Sequence, residues 1–226
     1  MEEESIIEKL DMLKKIEENV EYSDKFSDEE YNILESYSRD KDYIIRAKVA
    51  KILVNSTCPK DESILFKLSR DKKYLVRAEA CDSLSVSTSF KAFDMLKRTL
   101  KKEKSGMVRA YAIHSLGSIS KKLDVECEIK PIIKQLLKKE KSNLVKISSY
   151  KVLYSFGDKE CLYYLINKLE SKKYQNRCAV VNCLDEIVCQ KDRAIDKIIE
   201  EALIKHLEIE KNELVISTID KILKKL

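Results

Sequence analysis

The chain has no tryptophan, only three glycines and only two prolines in 226 residues. So few breakers leave helices free to dominate. It has two histidines, His114 and His206, and neither stands in an H-E-x-x-H pattern. There is no glycine-rich phosphate loop and no G-x-S-x-G, so the common local signatures of metalloproteases, nucleotide-binding enzymes and serine hydrolases are all missing. Seven cysteines occur without a single C-x-x-C pair, and Cys178, Cys183 and Cys189 lack ligand spacing. They read as small core hydrophobes, and no metal or cofactor is expected. No apolar run is long enough to cross a bilayer, and the N-terminal MEEESIIEKL is acidic, unlike a secretory signal. These features point to a reduced, cytoplasmic protein. In that setting the sequon Asn55-Ser56-Thr57 has no meaning.

Charge, by contrast, is abundant. Charged residues make up 37% of the chain, 44 basic against 39 acidic, for a net charge of +5. That balance permits an acidic partner without requiring one.

The organising feature is an internal repeat. Residues 69–86, SRDKKYLVRAEACDSLSV, align without gaps with 38–55, 101–118, 138–155, 169–186 and 208–225. The blocks start 31, 32, 37, 31 and 39 residues apart, which is the period of one supersecondary unit in a helical array. The third column reads Asp40, Asp71, Glu103, Glu140, Ser171, Glu210; the fourth is lysine throughout. The ninth reads Arg46, Arg77, Arg109, Lys146, Arg177, Ile216. Columns eight, twelve and sixteen are small or apolar and spaced i, i+4, i+8, so they line one face of a helix. Column ten begins with Ala47, Ala78 and Ala110, small enough for a neighbouring helix to come close.

An acid six residues before an arginine, then alanine, then leucine seven after the arginine, resembles the HEAT repeat over about residues 28–226. The pattern is fullest in blocks 38–55, 69–86 and 101–118; Lys146, Ser171 and Ile216 depart from it. The resemblance implies an all-α, right-handed α–α superhelix of about six helical hairpins, read as a single domain over residues 1–226. Within it, residues 1–26 would cap the array and 27–226 would hold the repeats. It also implies a structural ladder of Asp40, Arg46, Asp71, Arg77, Glu103 and Arg109, with acid and base from the same and adjacent turns in contact.

Other expectations are local. Ile6, Ile7, Leu10, Leu13, Ile16 and Val20 lie near one face of an N-terminal amphipathic helix over residues 4–20. Ser27 and Glu30 form a capping-box pattern. Phe90, Phe93, Leu96 and Leu100 are an inward row. Residues 120–128 are an insertion, Pro131 belongs to the first turn of the helix that follows, and Gly157-Asp158 ends one helix and caps the next.

Two surfaces are candidates for function. One is the polar row of the second helices, which the resemblance places on the concave side. Its middle holds Glu79, Asp82, Tyr111, His114 and Lys151, a mixture suited to a protein partner. The other is the lysine-rich edge of the turns, from Lys41 and Lys72 through Lys104 to Lys211, a stripe of the sort phosphate backbones bind. Both also have a plain reading as solvated helix and turn surface.

HEAT arrays serve many tasks, so the resemblance fixes no activity. Two histidines are too few for HEAT-like iron hydroxylases, whose metal sites use several His–Glu pairs. Alkylpurine DNA glycosylases share the repeats and the chain size, but their tryptophan is absent here and their catalytic residues have no counterpart. No motif points to phycobilin lyases. The reading is a non-catalytic, cytoplasmic protein-interaction scaffold or a small adaptor that sequesters one partner. The alternative is a nucleic-acid-binding protein of the DNA-repair glycosylase type. No membrane association is expected.

Overall fold

The computed structural model describes residues 5–23, 25–55, 59–188 and 192–226. Among these are thirteen α-helices and no strand. Their contacts fall into two compact units, Met1–Ile129 and Lys130–Leu226.

In the first unit, α1 (Ile6–Ser23) precedes three hairpins: α2 (Asp28–Tyr37) with α3 (Tyr43–Ile52), α4 (Pro59–Leu68) with α5 (Tyr74–Ser83), and α6 (Phe90–Lys102) with α7 (Gly106–Leu123). The second helices pack in series, α1 on α3, α3 on α5, and α5 on α7. The second unit takes the remainder of α8 (Glu126–Leu137), then α9 (Asn143–Ser155), α10 (Cys161–Asn167), α11 (Tyr174–Val188), α12 (Arg193–Leu207) and α13 (Glu213–Leu223). There α11 packs on both α9 and α13. The fold is an all-α repeat fold, as the column pattern implies.

The three apolar columns form the core. Every residue in them is buried except Leu223, where Ile222 is the buried neighbour. Each Val, Leu or Ile so removed from water contributes about 1.5–3 kcal/mol. Two columns carry polar residues, and each is satisfied locally. Ser149 Oγ donates to the Val145 carbonyl at 2.7 Å, and Asn176 Nδ2 donates to Ser171 Oγ at 2.9 Å.

The capping box forms as its spacing requires. Ser27 Oγ accepts from the Glu30 amide at 3.2 Å, and the Ser27 amide donates to Glu30 Oε2 at 2.9 Å. Elsewhere local expectation and structure part. Leu13, Ile16 and Val20 of α1 are buried, but Ile6 and Ile7 stay exposed, because the inward face begins only a turn later. Phe90 also stays outside; it is the first helical residue after the Ser89 cap and meets Phe93 edge-on at 6.3 Å. The insertion at 120–128 mostly lengthens α7 to 18 residues, against 10 in α3 and α5. Asp124 ends it in the left-handed region at φ 57°. Pro131 is interior to α8, which starts at Glu126; the buried Ile129 and Ile133 flank it and hold the helix through it. Gly157, at φ 95°, ends the turn after α9, but Asp158 caps nothing by its side chain. Its carboxylate instead takes Lys130 at 2.5 Å and Lys134 at 2.9 Å.

The turns are tied by a directional ion-pair ladder. Arg46 donates from Nε and Nη2 to both oxygens of Asp71, one repeat onward, at 2.6 and 2.9 Å. Arg77 grips Glu103 in the same way at 2.8 and 3.0 Å, and Arg177 grips Glu210 at 2.6 and 2.7 Å. The remaining nitrogen, Nη1, points back to the carbonyls of its own turn: Asp40 and Lys41 for Arg46, Asp71 and Lys72 for Arg77, Glu103 and Lys104 for Arg109. Each acid also accepts from an amide in its own turn, as Asp71 does from Lys73 and Glu103 from Ser105, both at 2.7 Å. An arginine's side chain therefore reaches the acid of the following turn, while its own turn is held through backbone carbonyls. The first rung comes from α1, where Lys9 Nζ meets Asp40 at 2.6 Å.

Removing one member strands the other below the surface, at about 1–3 kcal/mol for such a group. Arg46→Ala and Arg77→Ala should each lower unfolding free energy in urea by that order at pH 7. Arg46→Ala should lose more, because its side chain is 7% exposed against 20% for Arg77. Equal stability of wild type and both variants would contradict the ladder's contribution.

The same rungs set the response to acid. Burial pushes the Asp71 and Glu103 carboxyls up, but hydrogen bonds from Arg46 and Arg77, with the turn amides, outweigh it and hold both below their ordinary values. A folded value below the unfolded one gives stability that is present above pH about 4 and lost as pH falls through the folded value. The urea midpoint should therefore drop between pH 5 and pH 2. Glu103→Gln, with no proton to gain at that rung, should show a smaller drop than wild type.

Candidate functional site

The outward face of α5 and α7 in the first unit carries four of the five expected site residues together. Glu79 and Asp82 lie one turn apart on α5, and Tyr111 and His114 one turn apart on α7. α5 packs against α7, and Ala80 and Ala112 on these helices are small and fully buried. The small residues bring the two backbones close and so bring the outer side chains within reach of one another.

The electrostatics of the patch are acidic. His114 Nδ1 lies 3.5 Å from Asp82 Oδ1. Burial pushes the Tyr111 hydroxyl above its ordinary value, and the charges of Asp82 and Glu79 push it further. Burial likewise raises Glu79, with Asp82 adding to the shift and Lys51 opposing it. Two carboxylates thus stand beside a phenol that is 38% exposed, the largest exposed side chain of the group. The arrangement offers hydrogen-bond acceptors and one flat ring to a ligand. Lys151 belongs to the second unit, where its Nζ is held by Glu186 at 2.5 Å.

The turn lysines behave differently. Lys41, Lys72, Lys73, Lys101, Lys102 and Lys104 are all exposed in the first unit, as are their equivalents Lys138, Lys139, Lys141, Lys172, Lys173 and Lys211 in the second. Asp40, Asp71 and Glu103, which alternate with them in sequence, turn inward to the ladder instead.

Two further features escaped the sequence reading. Lys122 Nζ, from the extension of α7, donates to the carbonyls of Ser85 and Val86 at 3.1 and 2.8 Å, closing the end of the 3-10 turn after α5. Nothing in the spacing of Lys122 marks that role. In the second unit His206 Nε2 meets Glu210 at 2.8 Å inside the Arg177 rung. Their i, i+4 spacing was the available signal. The Glu210 carboxyl is held far below its ordinary value, first by Arg177 and then, against the effect of burial, by turn amides and His206.

Among the described residues no three His, Cys, Asp or Glu side chains gather as a metal site, and no helix is long and apolar enough to cross a membrane. The Cys81 thiol is fully buried, and burial pushes it up to about 12, far from the range of a reactive thiolate.

Comparison with known proteins agrees with this architecture. Residues 32–121 match the family model for HEAT repeats, the stretch where the acid–arginine pattern is fullest. No curated protein matches the chain in sequence. Among solved structures, it resembles a chain of the CpcE–CpcF complex of phycocyanin lyase from Nostoc sp. PCC7120. The TM-score is 0.61 at 16% identity, over 95% of this chain and 88% of that one. A second similar structure is YibA from Escherichia coli, with a TM-score of 0.44 at 16% identity and full coverage of both chains. At that identity the likeness to the lyase subunit describes the fold.

Brief treatment of the native protein with iodoacetamide, followed by peptide mapping, should label Cys127, which is exposed, and leave Cys81 unlabelled until urea is added. Rapid native labelling of Cys81 would show an open or activated thiol in α5.

Proposed function

We propose that this chain is a non-catalytic interaction scaffold that holds a protein partner against the α5–α7 face. The observation that carries the reading is Tyr111, a half-exposed ring set between Glu79, Asp82 and His114 with no fold role that requires its exposure. A rigid aromatic gives large contact area for little lost entropy, and such residues dominate binding hot spots. Asp82 fixes the orientation of what docks there. Small residues in the seam between α5 and α7 keep the platform stiff, so the partner meets a preformed surface. The reduced thiols and the absence of a membrane-spanning helix among the described residues suit a cytoplasmic setting.

The test is affinity capture from the native host with wild-type protein and a Tyr111→Ala/His114→Ala variant. A hot spot worth 2 kcal/mol or more corresponds to a loss of about 30-fold in affinity. Partners recovered with wild type should therefore fall to background with the variant, while the melting temperature stays unchanged. Retention of every partner would place the working surface elsewhere.

A further inference from the structure

The seam between α4 and α6 collects positive charge with few acids to offset it. Ser63, Lys67 and Arg70 follow one line along α4 and its end, at i, i+4, i+7. Facing them on α6 are Lys91, Met95, Arg98 and Lys102, at i, i+4, i+7, i+11. Two adjoining hollows of about 280 and 260 Å³ share Arg70, Met95 and Arg98, so they form one continuous cleft. Its five cations are all exposed, and its floor is the nearly buried Met95. The only carboxylate in the lining is Glu103, which Arg77 already holds by both oxygens.

Arg70 and Arg98 have no side-chain hydrogen bond or ion pair among the described residues. In the second unit Lys130 and Lys134 of α8 share Asp158. The α4–α6 cleft holds five cations, as many as the net excess of the whole chain, and among the described residues only Lys67 of them meets an acid, Glu35 at 3.7 Å.

We infer that this cleft is a docking site for a short, extended, acidic segment of a protein partner. The guanidinium forks of Arg70 and Arg98 match carboxylates in a two-pronged fashion. Met95 between them accepts an apolar side chain flanked by acids. From Lys91 to Lys102 the helix rises about 16 Å at 1.5 Å per residue. That spans about five residues of extended peptide at roughly 3.3 Å each. A single-stranded nucleic acid is the poorer fit. The cleft offers no free aromatic ring for bases to stack on, since Lys91 lies over Phe66 at 5.1 Å. The site is distinct from the α5–α7 face and does not depend on it.

Fluorescence anisotropy with the full chain tests the assignment. The probe is a fluorescein-labelled octapeptide of six acidic residues and two leucines. Arg70→Glu/Arg98→Glu and the milder Arg70→Gln/Arg98→Gln should each weaken binding by about tenfold or more, with unchanged melting temperatures. Lys172→Glu/Lys173→Glu, carrying the same charge change on the second unit, should weaken it by less than about threefold. Tyr111→Ala/His114→Ala should leave peptide binding intact even if it abolishes partner capture. An equal loss from the Lys172/Lys173 reversal would reduce the effect to net charge and overturn the site. Absence of wild-type binding would do the same. So would tighter, Arg70-dependent binding of an eight-nucleotide oligothymidylate, which would assign the cleft to nucleic acid.

Discussion

An arginine that reaches forward to the next turn's acid is the contact on which the described turns depend. Each rung joins three things at once: the carbonyls of one turn, the carboxylate of the next, and through that carboxylate the amides that open the following helix. Turns carry backbone groups without helical partners, and burying them unpaired would be costly. The rung satisfies those groups with a single side chain and fixes the spacing of successive hairpins. A lysine could supply the charge but not the fork, since its single nitrogen cannot face two directions in the plane. At α1 the rung to Asp40 is made by a single point charge, Lys9.

The ladder has a consequence for the surface. Turning Asp40, Asp71 and Glu103 inward leaves the neighbouring lysines facing water. The core columns do the same for the second helices: once one face is given to small and branched residues, the opposite face is free of structural duty. Tyr111 and His114 stand there on α7, opposite Glu79 and Asp82 on α5. The repeat therefore assigns a stabilising role to a few columns and leaves the others open to variation.

The legible part of the fold was that set of columns. An i, i+4, i+8 apolar row and an acid–arginine pair at fixed offset survive in a single sequence because each block must satisfy them independently. The departures were legible as departures but not in their remedies. At Ser171, in the acid column, the backbone carbonyl still accepts from Arg177 Nη1, and the hydroxyl accepts from Asn176 of the core column. The direction of each rung was not legible, because an arginine six residues from its own acid and about 25 from the next has no sequence signal that chooses between them. Pro131 misled for a related reason: helix α8 is held by Ile129 and Ile133, and two buried anchors outweigh one missing hydrogen bond.

The candidate surfaces were half legible. Reading columns across second helices brings Glu79, Asp82, Tyr111 and His114 together because those helices are in register with the repeat. The first helices are not; they differ in length and start, from 10 residues in α4 to 13 in α6. No column alignment therefore predicts that Arg70 faces Arg98. The result is a pair of hairpins whose two layers differ in sign, acidic along α5–α7 and basic along α4–α6, within a chain whose net charge is modest. Net charge is a sum over faces, and a partner meets one face at a time. The local field, set by which side chains the ladder has already consumed, decides what that face can hold.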